Sequence, residues 1–282
     1  MPEIAYINGE FLPLERAMVH VEDRGFQFAD AVYEVLRTYG GKPFAVADHI
    51  ARLFRSLDAI EMKHNFSRES FQALIDDAVK RAGFPEAVVY IQISRGRAPR
   101  RRDFPSSAAP TLVMTVRALE PMASATRERG VKVVTTPDLR WARCDIKSVG
   151  LLANILAYNA ARAAGAHDAI FVEADGTVTE ATAGNIFVVS RGTLRTPPKG
   201  PKLLSGVTRD KILQAACAAN VPCAEERITK SDLYAAEEIF LTSTTVEALS
   251  VVAVDGHVIG DGQPGPVTAC VHEQFLKMFA TG

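Results

Sequence analysis

One lysine of this sequence stands in a setting suited to covalent chemistry. Lys147 lies near the end of the string Trp141-Ala142-Arg143-Cys144-Asp145-Ile146-Lys147-Ser148, just before a segment that predicts a helix. A lysine amine can form an imine with an aldehyde and, once released from it, can act as a general base. Position alone favours a solvated surface residue, because the chain has ten lysines. The interpretation of Lys147 therefore depends on other segments.

Three further segments carry groups suited to a charged ligand. Glu180 lies within Val178-Thr179-Glu180-Ala181-Thr182-Ala183-Gly184-Asn185, where an exposed glutamate at a strand end is the simpler explanation. The segment 204–210 opens a helix, whose free N–H groups and dipole favour a phosphate-like anion. The segment 242–245 places hydroxyls after a strand, although such residues are also common caps. Each segment alone is a weak signal.

Two residues of the N-terminal half and one loop add to these candidates. Arg52 lies opposite the apolar stripe of a predicted helix, so it faces either solvent or a polar cleft. Tyr33 lies within the segment 29–35 and either lines a site or packs in the core of a strand. The loop of residues 95–105, called the arginine loop below, is strongly basic and is either solvated or a site for a polyanion. Its arginines are Arg95, Arg97, Arg100, Arg101 and Arg102.

Periodicity and turn residues predict the elements that must position these groups. The N-terminal half contains a hairpin around Asn8-Gly9, helices over 48–62 and from Ser67 to Gly83, and strands over 88–94 and 111–117. The C-terminal half contains strands over 131–135, 169–173, 186–190 and 238–242, and helices over 151–164, 208–219 and 267–279.

The order of these elements predicts the fold class. Residues 119–127 lack periodicity and are rich in Pro, Ala, Ser and Thr, so we expect two domains, 1–120 and 121–282. Strands and helices are mixed without strict βαβ alternation. The sequence therefore predicts an α+β fold.

Composition excludes several classes of function. The net charge of -1 gives no general attraction for nucleic acid or an anionic membrane. No apolar segment approaches the ~20 residues that span a bilayer, and no secretory signal precedes the first strand. We expect a cytoplasmic, soluble protein. No C-x-x-C or H-E-x-x-H motif predicts a metal site, and buried free thiols are expected at Cys144, Cys217, Cys223 and Cys270.

Taken together and in order, five of these segments resemble the fold-type IV (class IV) pyridoxal-phosphate enzymes, most closely the D-amino-acid aminotransferases. The resemblance runs from Val21 to Gly256. It implies a two-domain fold with pyridoxal 5'-phosphate in the interdomain cleft, bound to Lys147 in the larger C-terminal domain, and with Glu180 facing the pyridine nitrogen. The residues it implies for the phosphate are Arg52, Val207, Thr208, Ser243 and Thr244.

The resemblance also implies a substrate site. Tyr33 matches a tyrosine near the substrate carboxylate, and the arginine loop resembles the pattern R-G-x-x-P-R-x-H-x-F-P, in which Arg100 takes the place of the carboxylate-binding arginine. Arg102 stands where the pattern has histidine. A guanidinium there either favours dicarboxylates such as glutamate and 2-oxoglutarate or turns outward. In the family this loop reaches the neighbouring active site, which implies a homodimer.

These residues imply amino transfer from D-amino acids, D-alanine or D-glutamate, to 2-oxo acids such as 2-oxoglutarate or pyruvate. Lys147 would remove the Cα proton, and the two half-reactions would give ping-pong kinetics. Other members of the family remain alternatives: L-branched-chain aminotransferases, R-selective amine transaminases and aminodeoxychorismate lyase. A hypothesis of a different class is a non-enzymatic protein that binds anions through the arginine loop.

Overall fold

The computed structural model describes residues 3–280, which fold into two compact units. The first contains residues 3–121 and the short segment Ile146–Gly150, and the second contains Met122–Asp145 and residues 151–280. The division after residue 121 lies one residue from the boundary expected from the sequence. The segment that carries Lys147 belongs by its contacts to the first unit, although the sequence assigned it to the C-terminal domain.

The first unit is built on an antiparallel sheet. Among the described residues it has six strands in the order β2-β1-β6-β5-β3-β4. The strands are β1 (Ile4–Ile7), β2 (Glu10–Pro13), β3 (Ala31–Tyr39), β4 (Lys42–Pro43), β5 (Ala87–Ser94) and β6 (Thr111–Ala118). The predicted hairpin at Asn8-Gly9 is confirmed, since both residues have the positive φ angles that its turn requires.

Within the described part of the first unit, three α-helices accompany this sheet: α1 (Arg24–Phe28), α2 (Val46–Ala59) and α3 (Arg68–Ala82). Helix α3 begins at the predicted N-cap Ser67, whose side chain accepts from Ser70 N–H, and ends at Gly83 with φ 69°. Buried residues of the two longer helices, such as Leu53 and Phe71, join strand residues such as Ile91 in one apolar core. Burial of this core positions α2 against β3.

The segment 146–150 is attached to β3 by its backbone. Tyr33 N–H donates to the Lys147 carbonyl at 2.9 Å, and Val149 N–H donates to the Ala31 carbonyl at 3.2 Å. Ile146 is buried in the core of the first unit. Sequence periodicity could not detect this long-range pairing, because the segment is too short to show a period of its own.

The second unit is built on a mixed sheet with helices α4 (Ser124–Arg129), α5 (Leu152–Ala163), α6 (Val207–Ala218), α7 (Lys230–Tyr234) and α8 (Pro266–Ala280). Its strands are β7 (Val131–Pro137), β8 (Asp168–Val172), β9 (Val178–Ala181), β10 (Asn185–Ser190), β11 (Thr193–Thr196), β12 (Cys223–Glu225), β13 (Glu238–Ser243), β14 (Glu247–Val254) and β15 (His257–Val258). Among the described residues the sheet order is β12-β11-β10-β13-β14-β7-β8-β9, with β15 beside β14. Three pairs, β11 with β12 and β7 with both β8 and β14, are parallel.

The α+β class predicted from the sequence is confirmed, and several strands were missed. Strand β9 is buried along its whole length and contains two polar residues, Thr179 and Glu180, so it shows no alternation of apolar and polar positions. Strand β14 is likewise almost fully buried. On the neighbouring strands β10 and β13, the buried rings of Phe187 and Phe240 are stacked, with centroids 4.9 Å apart.

The expectation of four buried thiols is wrong for three of them. Cys217, Cys223 and Cys270 are exposed, whereas Cys144 is buried and its thiol donates to the Trp141 carbonyl at 3.1 Å. Burial raises the pKa of the Cys144 thiol to about 11, so it is protonated and unreactive at neutral pH. Among residues 3–280, none of the helices combines the length and the apolar character needed to cross a membrane.

Candidate active site

Lys147 is held by its backbone beside an aromatic ring. Its N–H donates to the Ser56 hydroxyl on α2 at 3.2 Å, and its carbonyl accepts from Tyr33 N–H on β3. The side chain is half-buried, and Nζ lies 4.2 Å from the centroid of the Tyr33 ring. The structure therefore excludes a freely solvated Lys147. It brings together two of the residues that the sequence selected, the lysine and the tyrosine.

A buried ionic cluster lies between α2 and β3. Arg52 Nε donates to Glu34 Oε1 at 2.7 Å and its Nη2 donates to Glu34 Oε2 at 2.9 Å. His49 Nδ1 lies 2.7 Å from Glu34 Oε2. Arg52 is only 5% exposed, so of the two sequence-based alternatives for this residue the solvent-facing one is wrong. The cause is Glu34, which faces α2 from inside the strand.

The charges of this cluster are set by its burial. Burial alone would raise the pKa of Glu34, but the charge and hydrogen bonds of Arg52, with the hydrogen bond from His49, hold it far below its usual range. Burial lowers the pKa of His49; the hydrogen bond and charge of Glu34 oppose this shift, and the charges of Arg52 and Lys147 add to it. At neutral pH Glu34 is therefore ionised and His49 neutral. Because an ionised carboxylate only accepts, His49 carries its proton on Nδ1.

The Glu34→Gln substitution should destabilise the protein by about 3–5 kcal/mol at neutral pH, since it leaves Arg52 buried without its main counter-charge. The low pKa of Glu34 means that its contribution is present at neutral pH and is lost as the pH falls through the acid range. Urea unfolding measures the effect. Asp77→Asn is the matched control, because Asp77 pairs with Arg81 on an exposed face and should contribute less than about 0.5 kcal/mol. Equal changes in the two variants would contradict the buried pair.

Glu180 is buried within β9, and its carboxylate is fixed by three donors. Arg140 Nη1 donates to Oε1, while Asn185 Nδ2 and Leu204 N–H donate to Oε2 at 3.2 and 3.1 Å. Glu180 is 6% exposed, so the alternative of a solvated glutamate is excluded. A carboxylate held this way keeps a fixed direction without side-chain disorder.

Arg140 connects Glu180 to a second carboxylate, Asp138. Its Nε and Nη2 donate to the two Asp138 oxygens at 3.0 and 2.8 Å, and its guanidinium lies over the Phe171 ring at 4.3 Å. Burial alone would raise the pKa of Asp138, but the hydrogen bonds and charge of Arg140 hold it below its usual value. One cation therefore faces two carboxylates. The cluster can neutralise an additional positive charge.

The start of α6 lies against Asn185. No side chain caps the first turn of this helix, and Gly206 stands at its N-cap. A Cβ on Gly206 would lie 2.0 Å from Asn185 Oδ1, so only glycine allows this approach. Val207 and Thr208, the next residues, are buried. Their N–H groups belong to the positive end of the helix dipole, which suits a phosphate.

The end of β13 also lies beside Asn185. Asn185 on β10 is paired with Thr242 on β13, and the half-buried Ser243 and Thr244 follow. A Cβ on Gly184 would lie 2.3 Å from the Thr242 carbonyl, which explains the glycine in this turn. In the second unit the fold thus brings the Glu180 strand, the start of α6 and the hydroxyls after β13 around Asn185, as the sequence-based site requires.

The arginine loop is exposed at its tip. Arg100 is exposed and its guanidinium lies 4.5 Å from the centroid of the Phe28 ring. Arg101 pairs with Asp103. Arg102 is exposed, and within residues 3–280 it has neither a hydrogen bond nor an ion pair. The side chains of Arg100 and Arg102 are therefore accessible to a ligand or to another protein chain.

Comparisons with known proteins identify this constellation. The family model described as "Amino-transferase class IV" matches residues 31–254. The chain belongs to the class IV aminotransferases. Two curated relatives are D-alanine aminotransferases. That of Bacillus licheniformis is 36% identical over 93% of this chain and 92% of its own length, and that of Listeria monocytogenes serotype 4b is 38% identical over 96% and 94%.

Solved structures of class IV aminotransferases resemble the chain over its whole length. The branched-chain amino acid aminotransferase of Escherichia coli has a TM-score of 0.92 at 25% identity and covers 99% of this chain and 95% of its own. That of the thermophilic archaeon Thermoproteus uzoniensis, solved with norvaline, has a TM-score of 0.88 at 26% identity, with 98% and 94% covered. The fold expected from the resemblance is confirmed.

Membership of the class IV aminotransferases decides three of the sequence-based expectations. The chain is an enzyme, an aminotransferase, and its cofactor is pyridoxal 5'-phosphate, which this family uses. The competing hypothesis of a non-enzymatic anion-binding protein is not supported. The chemistry of the residues present fits the cofactor: a restrained lysine amine, a fixed carboxylate for a protonated ring nitrogen, and an uncapped helix start with hydroxyls for a phosphate.

Sequence reasoning missed the partners that fix the candidate residues of this aminotransferase. Glu34 accepts from both Arg52 and His49, Arg140 and Asn185 donate to Glu180, and Asp138 accepts from Arg140. A signal existed for two of them. Glu34 follows Tyr33 in a strand, where an ionisable residue on the inner face requires a partner, and Asn185 closes the segment that contains Glu180.

Proposed function

We propose that this enzyme transfers the amino group of D-amino acids, D-alanine and D-glutamate first among them, to 2-oxo acids such as pyruvate and 2-oxoglutarate. The observation that carries the proposal is the similarity to D-alanine aminotransferases, at 36–38% identity over 93–96% of the chain. The arginine loop supports it, since Arg100 stands in the R-G-x-x-P-R pattern of those enzymes.

We assign the covalent and proton-transfer roles to Lys147. When bound, pyridoxal phosphate supplies an aldehyde for the substrate amine and a ring that withdraws electrons from the substrate Cα. Lys147 would hold the cofactor through its Nζ, and the same Nζ, once free, would take the proton from the substrate Cα. The Ser56 and Tyr33 hydrogen bonds to its backbone limit the positions that Nζ can reach.

Glu180 keeps the proton at the pyridine nitrogen of the cofactor. Its negative charge stabilises a protonated ring, and the three hydrogen bonds from Arg140, Asn185 and Leu204 fix its direction. Arg140 does not cancel this charge, because Asp138 shares the same guanidinium. The role of Arg140 is to orient Glu180 rather than to neutralise it.

The phosphate is assigned to the residues that the resemblance selected. The N–H groups of Val207 and Thr208 at the start of α6 and the hydroxyls of Thr208, Ser243 and Thr244 would donate to its oxygens. Arg52 would supply a cation that Glu34 holds in one orientation. The tight approach of Gly206 to Asn185 links this end of the cofactor to the Glu180 cluster.

We propose that Tyr33, Arg100 and Arg102 bind the substrate carboxylates, and that the arginine loop acts in the active site of a second copy in a cytoplasmic homodimer. Helix α5 supports the dimer. Leu152, Ile155 and Leu156 lie on one face of it and are 54–69% exposed, and an apolar face of this kind is normally covered by a partner. The unpaired Arg102 suits the second carboxylate of D-glutamate or 2-oxoglutarate.

The Arg100→Ala substitution should cost about 2–4 kcal/mol in kcat/KM for D-alanine, because the variant loses a charged hydrogen-bond donor to the α-carboxylate. Reaction with a simple amine, followed in a single turnover, should change little. Arg97→Ala is the control, since Arg97 lies on the same loop, is exposed and pairs with Glu22. Equal losses on the amino acid and the amine would show that Arg100 does not bind the carboxylate.

A substrate panel tests the proposed function. Purified enzyme with pyridoxal phosphate is given D-alanine, D-glutamate, L-leucine, L-glutamate and an R-amine, each with pyruvate or 2-oxoglutarate, and the new amino acid is separated by chirality. We expect turnover of the D-amino acids with ping-pong kinetics. Turnover of L-leucine without D-alanine would contradict the proposal and favour the branched-chain aminotransferases, which the solved structures resemble.

A further inference from the structure

One carboxylate of the first unit serves two buried arginines. Asp30, which immediately precedes β3, accepts from Arg24 Nε at 2.7 Å and from Arg95 Nε at 2.9 Å through the same oxygen, Oδ2. Arg24 is 4% exposed and Arg95 is 7% exposed. A buried arginine that is paired with a carboxylate is held in one rotamer, because another rotamer would leave buried charge without a partner.

Arg24 also binds the backbone of the arginine loop near its tip. Its Nη1 donates to the Arg101 carbonyl at 2.6 Å and reaches the Asp103 carbonyl at 3.4 Å. These two carbonyls flank Arg102. The Arg24 guanidinium further lies 5.0 Å from the Phe28 ring, and the Arg100 guanidinium lies 4.5 Å from the same ring. Arg24 thus contacts the loop on both sides of Arg102 and shares the Phe28 ring with Arg100.

Arg95 fixes the start of the loop in the same way. Its Nη1 and Nη2 donate to the carbonyls of Glu61 and Ile60 at 3.1 and 2.6 Å, and its guanidinium lies 3.9 Å from the Phe104 ring. The next residue, Gly96, has φ 90°, and a Cβ there would lie 1.8 Å from the Ala109 carbonyl. Arg95 and Gly96 therefore fix the base of the loop, whereas the side chain of Arg24 contacts the loop near its tip.

We propose that Arg24, oriented by Asp30, is a positioning residue that sets where Arg100 and Arg102 present their guanidiniums to the substrate carboxylates. The inference rests on the proposed function of those two arginines. Asp30 immediately precedes β3, so its carboxylate, through Arg24, connects the loop tip to this strand of the same chain.

Arg24→Lys tests the role with the charge retained. A lysine ammonium can reach Asp30 or the loop carbonyls but cannot bridge them, since only the planar guanidinium offers donors in both directions. We expect the KM for D-alanine to rise by about 10- to 100-fold, with kcat changed much less and with pyridoxal phosphate bound as tightly as in the wild type. Trypsin should cleave faster at residues 100–102, and this cleavage can be measured without any assay of transamination.

Asp30→Asn provides a second test of the role of Arg24, and Arg101→Ala provides the control. Asp30→Asn removes the charge that orients Arg24 and should shift KM in the same direction. Arg101→Ala is the matched control, because Arg24 binds the carbonyl of Arg101 and not its exposed side chain, so its KM should stay within about twofold. In an Arg100→Ala background, Arg24→Lys should have little further effect on KM, since the two residues act through the same contact.

The outcomes separate this inference from the proposed function. Wild-type enzyme that does not aminate pyruvate with any D-amino acid overturns the function itself. Active wild type with an unchanged KM and unchanged trypsin cleavage in Arg24→Lys overturns the role of Arg24. A fall in kcat and in cofactor affinity without a change in KM also overturns it, because that pattern indicates a general structural defect. If Arg24→Lys does not fold, the KM and cleavage of Asp30→Asn decide.

Discussion

Lys147→Ala should lower the rate of transamination by about 10⁴-fold or more, the largest effect of any substitution in this enzyme. Two roles disappear together, the covalent attachment of pyridoxal phosphate and the base that takes the Cα proton. The purified variant should also lack the yellow colour that borohydride removes from the wild type. Steady-state rates with D-alanine and the visible spectrum of the purified protein measure the two roles separately.

A matched control for this variant is Lys80→Ala, in the exposed last turn of α3. It should retain colour and activity. Addition of a small primary amine should partly restore proton transfer in Lys147→Ala, because the vacated space lies beside the Tyr33 ring, where the lysine amine lay. A Lys147→Ala variant that is yellow, borohydride-sensitive and active would contradict the assignment.

Glu180→Gln should lower kcat by about 10²- to 10³-fold, as the loss of one fixed electrostatic contact commonly does. Glutamine has nearly the same shape and can still accept from Leu204 N–H, but it carries no charge to keep the ring nitrogen protonated. The pH dependence of kcat should move to more acidic values, because the ring must then hold its proton without a carboxylate. Rates across a pH series measure both changes.

The contacts of Arg140 allow the loss of the Glu180 charge to be distinguished from a structural defect in Glu180→Gln. A purely structural defect would also break the contacts of Arg140 to Asp138 and would lower thermal stability. We expect the variant to unfold within a few degrees of the wild type, since Asp138 still neutralises Arg140. Glu128→Gln, exposed on α4, is the control and should change neither kcat nor its pH dependence. An unchanged kcat in Glu180→Gln would contradict the role.

Local signals predicted most of the elements, because each depends on residues close in sequence. The Ser67 cap and Gly83 end of α3, and the turn at Asn8-Gly9, appear in the structure where the sequence placed them. Strand β9 was missed for a physical reason. It is buried and contains Glu180, so it lacks the alternation by which a half-buried strand is recognised.

The candidate site could be predicted from the sequence only because its segments occur together in the order typical of the family. Lys147 and Glu180 were selected by resemblance, and the structure adds the contacts that hold them. Glu180 and Arg140 are separated by 40 residues, and Asp30 and Arg95 by 65. Such pairs form when strands pair and loops close, and local sequence patterns carry no information about contacts between residues so far apart. The burial of Arg52 against Glu34 likewise depends on the contact between a helix and a strand.

Reduction of the native enzyme with borohydride, followed by protease digestion and peptide mass spectrometry, shows which lysine binds pyridoxal phosphate. We expect a phosphopyridoxyl group on the peptide that contains Lys147, in stoichiometric amount, and on no other peptide. A label on another of the ten lysines, or an unlabelled Lys147 peptide from yellow protein, would show that Lys147 does not carry the cofactor.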